Sequence, residues 1–415
     1  MKFLFSIILL FLIALKCNSQ ECVSYNFDVK FDVTEKKIKV NGDVLIDFQG
    51  QDSIALVLWK NSAIHSISIN KTSAIYHFDT ISKSPVRYIP KGGNLIIFDP
   101  QKNKGIQKVT FNYTCDMHNV DSWATSFSEN WIEVNYYCAW FPVNLKSNKF
   151  TSRFNISIDK EFKVTGSGKV EKKGKRWQML QSWESFDNVI IASKNIETRK
   201  LHEESTHIET NFIGLNKIAA DSVIGECKYA FNLYQQLFGK KDSAYFKFII
   251  GPYSDGGGYS RKNFVSWRSN TFSMKTMRGI GHELAHFWWN SANTTTWEDW
   301  LNESFAEYSM LVYIRARFGT EVFNKRINEY KQSTVEIPPI WDLYRDDPRA
   351  YEVLYRKGAL ILYEFEQKAG QNQFYMFLKK VATNKIDTTS KFLELVETEF
   401  SKDMRQWIED KLRNA

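Results

Sequence analysis

From Tyr25 to about residue 213 the chain alternates between apolar and polar side chains. Tyr25-Asn26-Phe27-Asp28-Val29-Lys30-Phe31 does so residue by residue, and stretches 37–48 and 150–158 repeat the pattern. A period of two sends successive side chains to opposite faces of a pleated strand. Asn41-Gly42, Gly92-Gly93, Gly166-Ser167-Gly168 and Lys173-Gly174 read as turns between such strands. Short strands with frequent turns predict an antiparallel saddle or sandwich rather than βαβ units.

Near residue 214 the period changes. Residues 217–238 place apolar side chains at helical spacing, and Gly239 follows as a C-terminal cap. Strand-like 246–250, a glycine-rich loop and a second short strand at 264–267 come next, then helices to the end. A chain of 415 residues exceeds one ordinary core. The expectation is an α+β protein with a β-rich domain over 20–213 and a mainly helical domain over 214–415. No repeat or extended linker separates them, so a cleft at a tight junction is the natural place for a site.

Composition narrows the class. With 43% hydrophobic residues and only 8 Pro and 20 Gly, the chain reads as globular throughout. The formal charge is +8, but the densest basic run, Lys172 to Arg176 around Gly174, reads as a solvated hairpin turn. No basic stripe is interleaved with aromatics, so nucleic acid is not an expected partner. Lys2, the apolar run 3–15 and polar 16–20 read as a secretory signal over 1–19, cut after Ser19. The run is too short to span a bilayer, so no stable membrane span is expected after its removal. Cys17 offers a lipid anchor, although Lys16 fits a lipobox poorly. Loss of 1–19 takes two lysines and no acid, lowering the charge to +6. A secreted or periplasmic protein is implied. Cys22, Cys115, Cys138 and Cys227 then remain, enough for two bridges of undetermined pairing, and no CxxC spacing suggests a cysteine metal site.

Chemistry enters at His282-Glu283-Leu284-Ala285-His286, within an amphipathic stretch over 274–291. Positions i and i+4 share one helical face, so both imidazoles can point at one ion. Catalytic zinc takes three protein ligands and leaves the fourth position for water. Leu301-Asn302-Glu303-Ser304-Phe305-Ala306-Glu307-Tyr308 opens a second helix and offers Glu303 as the third ligand. Glu307, one turn on, is placed to accept the free N–H of a ligating histidine. Zinc lowers the pKa of a bound water from about 15.7 to about 7, so Glu283 can serve as general base.

HELAH followed by LNESFAEY resembles the gluzincin metallopeptidases of the aminopeptidase N and leukotriene hydrolase type. Trp140-Phe141-Pro142 with Lys146 and Phe150 is similar to that family's β-domain signature, and 403–412 to the end of its catalytic domain. The resemblance implies a thermolysin-like catalytic domain after the β saddle, one zinc ion and peptide substrates. The helical C-terminal domain of larger members has no counterpart in these residues. The stretch between His286 and Glu303 is two residues shorter than the family's usual spacing, a loss that falls in the loop 290–297. Asn293 and Asn302 begin glycosylation sequons, but the second encloses Glu303, so these sequons argue poorly for glycans.

Tyr355-Arg356-Lys357-Gly358 is similar to the family's Tyr-x-Lys-Gly element, which implies Tyr355 as the oxyanion donor, with Tyr351 a weaker candidate. Gly257-Gly258-Tyr259-Ser260-Arg261 matches the Gly-x-Met-Glu-Asn loop that grips a substrate ammonium. Here Ser260 replaces the acid and an arginine follows. The glycines still allow a peptide backbone to approach an edge strand. Glu133, nine residues before Pro142, sits where the family's β-domain offers a Gln or Glu to the substrate amine. The leading expectation is therefore a secreted zinc aminopeptidase. Alternatives are an endopeptidase, an exopeptidase with different end recognition, or a non-catalytic zinc scaffold that binds peptides.

Overall fold

The computed structural model describes residues 21–99, 105–145, 149–203, 206–241, 245–254 and 256–414. The signal read in 1–19, with Cys17, and Lys146 lie outside the described residues.

The N-terminal half is built from three sheets. The largest has eight strands, in which Glu21–Asp32 lies between Lys37–Asp47 and Phe150–Ser157. Alternation buries Tyr25, Phe27, Val29 and Phe31 and leaves Asn26, Asp28 and Lys30 outside. The sheet is mainly antiparallel, with one parallel pair at Ser24↔Thr151 to Lys30↔Ser157. Asn41-Gly42 is not a turn: both residues sit in the middle of Lys37–Asp47. A side chain at Gly42 would begin 2.2 Å from the Asn26 carbonyl oxygen, so the glycine admits a close neighbouring strand. Lys173-Gly174 does turn a hairpin, and Gly174 takes φ +61° there.

A five-stranded sheet opens the second half, in the order Glu197–Glu203, Thr206–Phe212, Tyr245–Ile250, Phe264–Trp267, Gly258–Arg261. It therefore draws strands from both sides of residue 213. Helices α1 (Lys217–Phe238), α2 (Met274–Ala285) and α3 (Trp300–Ser333) follow the expected order, with Gly239 after α1. α4 (Gly358–Ala369), α5 (Gln371–Thr383), α6 (Thr389–Glu399) and α7 (Lys402–Arg413) complete the domain. α2 is shorter than its amphipathic stretch. After His286 the chain turns so that the Trp288 indole reaches the Gly239 carbonyl at 2.8 Å and Trp289 reaches Ser309 Oγ at 2.9 Å. Two indoles that find partners inside the core outweigh another helical turn. No helix among the described residues is long and apolar enough to cross a membrane.

Each half has its own apolar core, and a third, smaller cluster joins them. It packs Trp131, Val189 and Ile191 of the β half against Ile249, Tyr259 and Phe264 of the five-stranded sheet. The four cysteines are all buried, none of them in a disulfide, and Cys22 has Tyr25 and Asn144 as hydrogen-bond partners. Burial pushes Cys22, Cys115 and Cys138 up to about 12, so these thiols are inert at neutral pH.

Lys247 fastens the same junction. Its amine is buried and donates to the carbonyls of Gly168 at 2.8 Å and Gly166 at 3.2 Å. Burial pulls its pKa down to about 8, against the attraction of Glu209. Below pH 8 the amine is charged in both folded and unfolded chains, and the folded one bears the cost. Between pH 8 and 10.5 the folded chain gives up the proton first, so stability rises with pH. A displacement of this size is worth about 3 kcal/mol. Denaturant unfolding should therefore show the stability difference between the parent and Lys247→Met shifting toward the parent by roughly that amount across this window. A difference independent of pH would contradict the burial effect.

Candidate metal centre

α2 begins at Ser273, whose hydroxyl accepts the Thr276 amide, and carries His282 and Glu283 in its last turn with His286 at its end. α3 packs across it and brings Glu303 into line. The Nε2 atoms of His282 and His286 lie 3.2 Å apart, and Oε2 of Glu303 lies 3.3 and 3.4 Å from them. Ligands about 2.0–2.2 Å from a tetrahedral ion are separated by about 3.3–3.5 Å, so this triangle has the size of three corners of such a site. Glu303 Oε2 is buried and has no hydrogen-bond partner. Among the described residues this is the one group of three or more His, Cys, Asp or Glu side chains able to hold a metal ion.

The opposite imidazole edges are fixed. His282 Nδ1 lies 2.8 Å from Glu307 Oε2, and His286 Nδ1 lies 3.1 Å from the Trp289 carbonyl. Both acceptors require a proton on Nδ1, which leaves the Nε2 lone pairs for the ion. Tyr330 donates its hydroxyl to the other oxygen of Glu307. Tyr330 belongs to the site but lies 23 residues from Glu307, and the Trp289 acceptor is a backbone carbonyl that any residue could supply, so neither carries a sequence signal.

The loop between the ligand helices is held by Asn302. Its amide oxygen accepts from the Ala292 amide at 3.1 Å, and its nitrogen donates to the Ala292 carbonyl at 3.0 Å and to Asp299 at 2.9 Å. The second sequon is thus interior, with Asn302 3% exposed. Arg345 closes the group on Asp299 Oδ2 at 2.9 Å.

Glu283 is buried beside the triangle. Burial pushes its carboxyl up, opposed by the two imidazoles. A methyl group at Gly258 would sit 3.1 Å from its Oε1, so the glycine keeps this wall clear. Tyr355 stacks on the His282 ring, 5.7 Å between centroids at 8°, and Tyr351 packs on Tyr355. Burial and the carboxylates of Glu303 and Asp299 raise the Tyr355 phenol well above its usual value, so it remains a donor at neutral pH.

Tyr355 lies in a π-helical segment, Glu352–Lys357, and not in the regular helix read from sequence. Single π turns are frequent at functional sites. Ser304 donates to the Leu354 carbonyl at 2.5 Å, and a methyl group at Gly358 would fall 1.8 Å from that hydroxyl. The glycine of the Tyr-x-Lys-Gly element thus lets α3 approach the segment that presents Tyr355.

The substrate-end candidates divide. Gly257 and Gly258 lead into the edge strand of the five-stranded sheet, and partly exposed Ser260 shares the Gly258 face. Glu133 turns away into the junction. It is 0% exposed, its Oε1 accepts from Tyr259 at 2.8 Å and Ser266 at 2.7 Å, and its Oε2 accepts from Trp131 at 3.1 Å.

No family model matches the chain. Solved structures do match it. The M1 zinc metallopeptidase of Deinococcus radiodurans superposes with a TM-score of 0.74 at 14% identity, over 95% of this chain and 94% of that one. The fold is that of the M1 zinc metallopeptidases. Yeast LTA4 hydrolase shares it, with a TM-score of 0.74 at 15% identity over 95% of this chain and 68% of that one. In sequence, aminopeptidase N of Streptomyces lividans is 25% identical over 209 residues, which is 45% of this chain and 24% of that protein. Putative aminopeptidase-2 of Caenorhabditis elegans is 24% identical over 205 residues, 44% of this chain and 11% of that protein. The chain thus aligns with only about a tenth to a quarter of these relatives' lengths, and the likeness to the aminopeptidase N type rests on this M1 fold and these partial matches.

Replacing Gly358 with alanine forces a methyl group into Ser304. The expected cost is about 2 kcal/mol, read as a lower unfolding midpoint. Unchanged stability would show that the α3 contact is loose.

Proposed function

We propose that this chain is a zinc-dependent peptidase. One observation carries the reading: three ligand atoms, Nε2 of His282 and His286 and the unpartnered Oε2 of Glu303, converge at tetrahedral spacing beside a buried carboxylate and a protonated phenol. His282, His286 and Glu303 would hold the ion. Zinc, when bound, lowers the pKa of water and polarises a carbonyl. Glu283, next to the ligands, takes the proton from the attacking water and passes it to the leaving amine. Tyr355 donates its hydroxyl to the oxyanion that develops on the scissile carbonyl. Glu307 holds His282 in its tautomer, and the glycines at 257 and 258 leave the edge strand open to peptide backbone. Residues 20–213 would wall one side of the cleft and 214–415 carry the chemistry. Export by the signal read in 1–19 belongs to the same proposal.

Two of the relatives in sequence are named as aminopeptidases, which supports removal of N-terminal residues as one of the reactions this site performs. A scaffold that held zinc without chemistry would have no use for a buried acid at 283.

Glu283→Gln should lower kcat by about 10²–10⁴-fold while zinc content stays at one per chain. A parent protein as inert as this variant toward a broad peptide library would leave only the scaffold. Tyr355→Phe should cost about 10²–10³ in kcat with little change in KM. A loss confined to KM would place Tyr355 in substrate binding instead. Removing the metal with a chelator should abolish hydrolysis, and zinc should restore it.

A further inference from the structure

We propose that this cleft takes its peptides without gripping a free N-terminal ammonium group, so that N-acylated and N-terminally extended peptides are substrates. The inference rests on the peptidase reading above and specifies its substrate class.

An ammonium group is held most strongly where a carboxylate can reach it. Among the described residues at the upstream end of the edge strand, the two positions that the family's pattern gives to such an acid, 133 and 260, leave none free for it; Asp255 lies outside the described residues. Ser260 carries a hydroxyl, which offers no charge. Glu133 carries the charge, but Tyr259, Ser266 and Trp131 each donate to it, and no part of it is exposed. Freeing it for a substrate would leave those donors buried without an acceptor, and that penalty is about as large as the benefit of a new ion pair with the ammonium group.

The neighbouring charges point the same way. Asp187 is buried too, and the Arg261 guanidinium at 2.7 Å and the Tyr136 amide at 2.7 Å occupy it. Arg261 is clasped by the rings of Tyr137, Phe186 and Tyr259, 4.6 to 5.2 Å from its centre, and acts electrostatically on Glu283. Arg261 and Asp187 thus satisfy each other, and this pair offers no free anion to an ammonium group.

What remains there suits a chain that continues. Gly258–Arg261 is an edge strand, and edge pairing recognises backbone whether or not a terminus follows. Trp123, half exposed, packs on Tyr137 and Tyr259 at 5.0 and 6.3 Å and extends an apolar surface beside the same strand. An acyl group or a further residue can lie on such a surface, whereas an ammonium group loses its hydration against it.

The test compares three peptides with one scissile bond: a free amine, its N-acetyl form, and a form extended upstream by two residues. The full chain loaded with zinc should cleave all three with kcat/KM within about threefold. A fall of about a hundredfold on acetylation, the size of a lost charged hydrogen bond, would overturn the proposal. If none of the three is cleaved by zinc-loaded protein, the peptidase reading itself falls, a result distinct from selective loss of the blocked forms. Ser260→Glu should then shift the free-to-acetyl ratio of kcat/KM by about tenfold or more toward the free amine. Melting curves would check its fold, with Ser260→Asp as the smaller alternative. An unchanged ratio in a folded variant would show that position 260 does not face the N-terminal end, and would also overturn the proposal.

Discussion

Everything at the centre of this molecule depends on two helices meeting with their polar faces inward. α2 brings two imidazoles and α3 a carboxylate to within 3.4 Å of one another, where the carboxylate oxygen has no donor. Buried polar atoms left in that state are costly unless something else completes them. The surroundings spread that demand outward. Glu307 and the Trp289 carbonyl hold the imidazoles, Tyr330 holds Glu307, and Asn302 with Asp299 and Arg345 ties the loop that joins the helices. Asn302 bonds both backbone groups of Ala292 and so closes the connection between the two helices.

A second constraint comes from the other side of α3. The π-helical segment must come near enough for the Tyr355 phenol to stack on His282, and the approach is set by Ser304 and the absence of a side chain at 358. α3 and the π-helical segment thus share one packing surface, and the apolar cluster beneath them fixes both.

Local features of the sequence were legible because their physics is local. Spacing within HELAH and LNESFAEY puts the side chains on helix faces, and the alternation from Tyr25 to Phe31 reports burial directly. What escaped is decided by distant partners. Asn41-Gly42 has the composition of a turn, yet a strand lies against it and needs the space. The amphipathic stretch after His286 stops being helical because two tryptophans find acceptors elsewhere in the helical domain. Glu133 stands at the expected spacing, but its fate is set by Tyr259 and Ser266, more than 120 residues away. Had Tyr259 been apolar, one of its three donors would be absent.

The first described strand lies in the interior of its sheet. Glu21–Asp32 pairs on one side with the strand that follows it, but its other neighbour, Phe150–Ser157, comes far later in the chain. During synthesis that open side has no partner until more than a hundred further residues have been made. Parallel, non-local pairing of this kind forms slowly, and an unpaired edge invites pairing with other chains. The β half cannot close before residue 157, and the junction that receives Lys247 forms later still. The vulnerable period for this protein is therefore the making of its first domain, and a factor that shields one strand edge would protect it more than one that aids the helices.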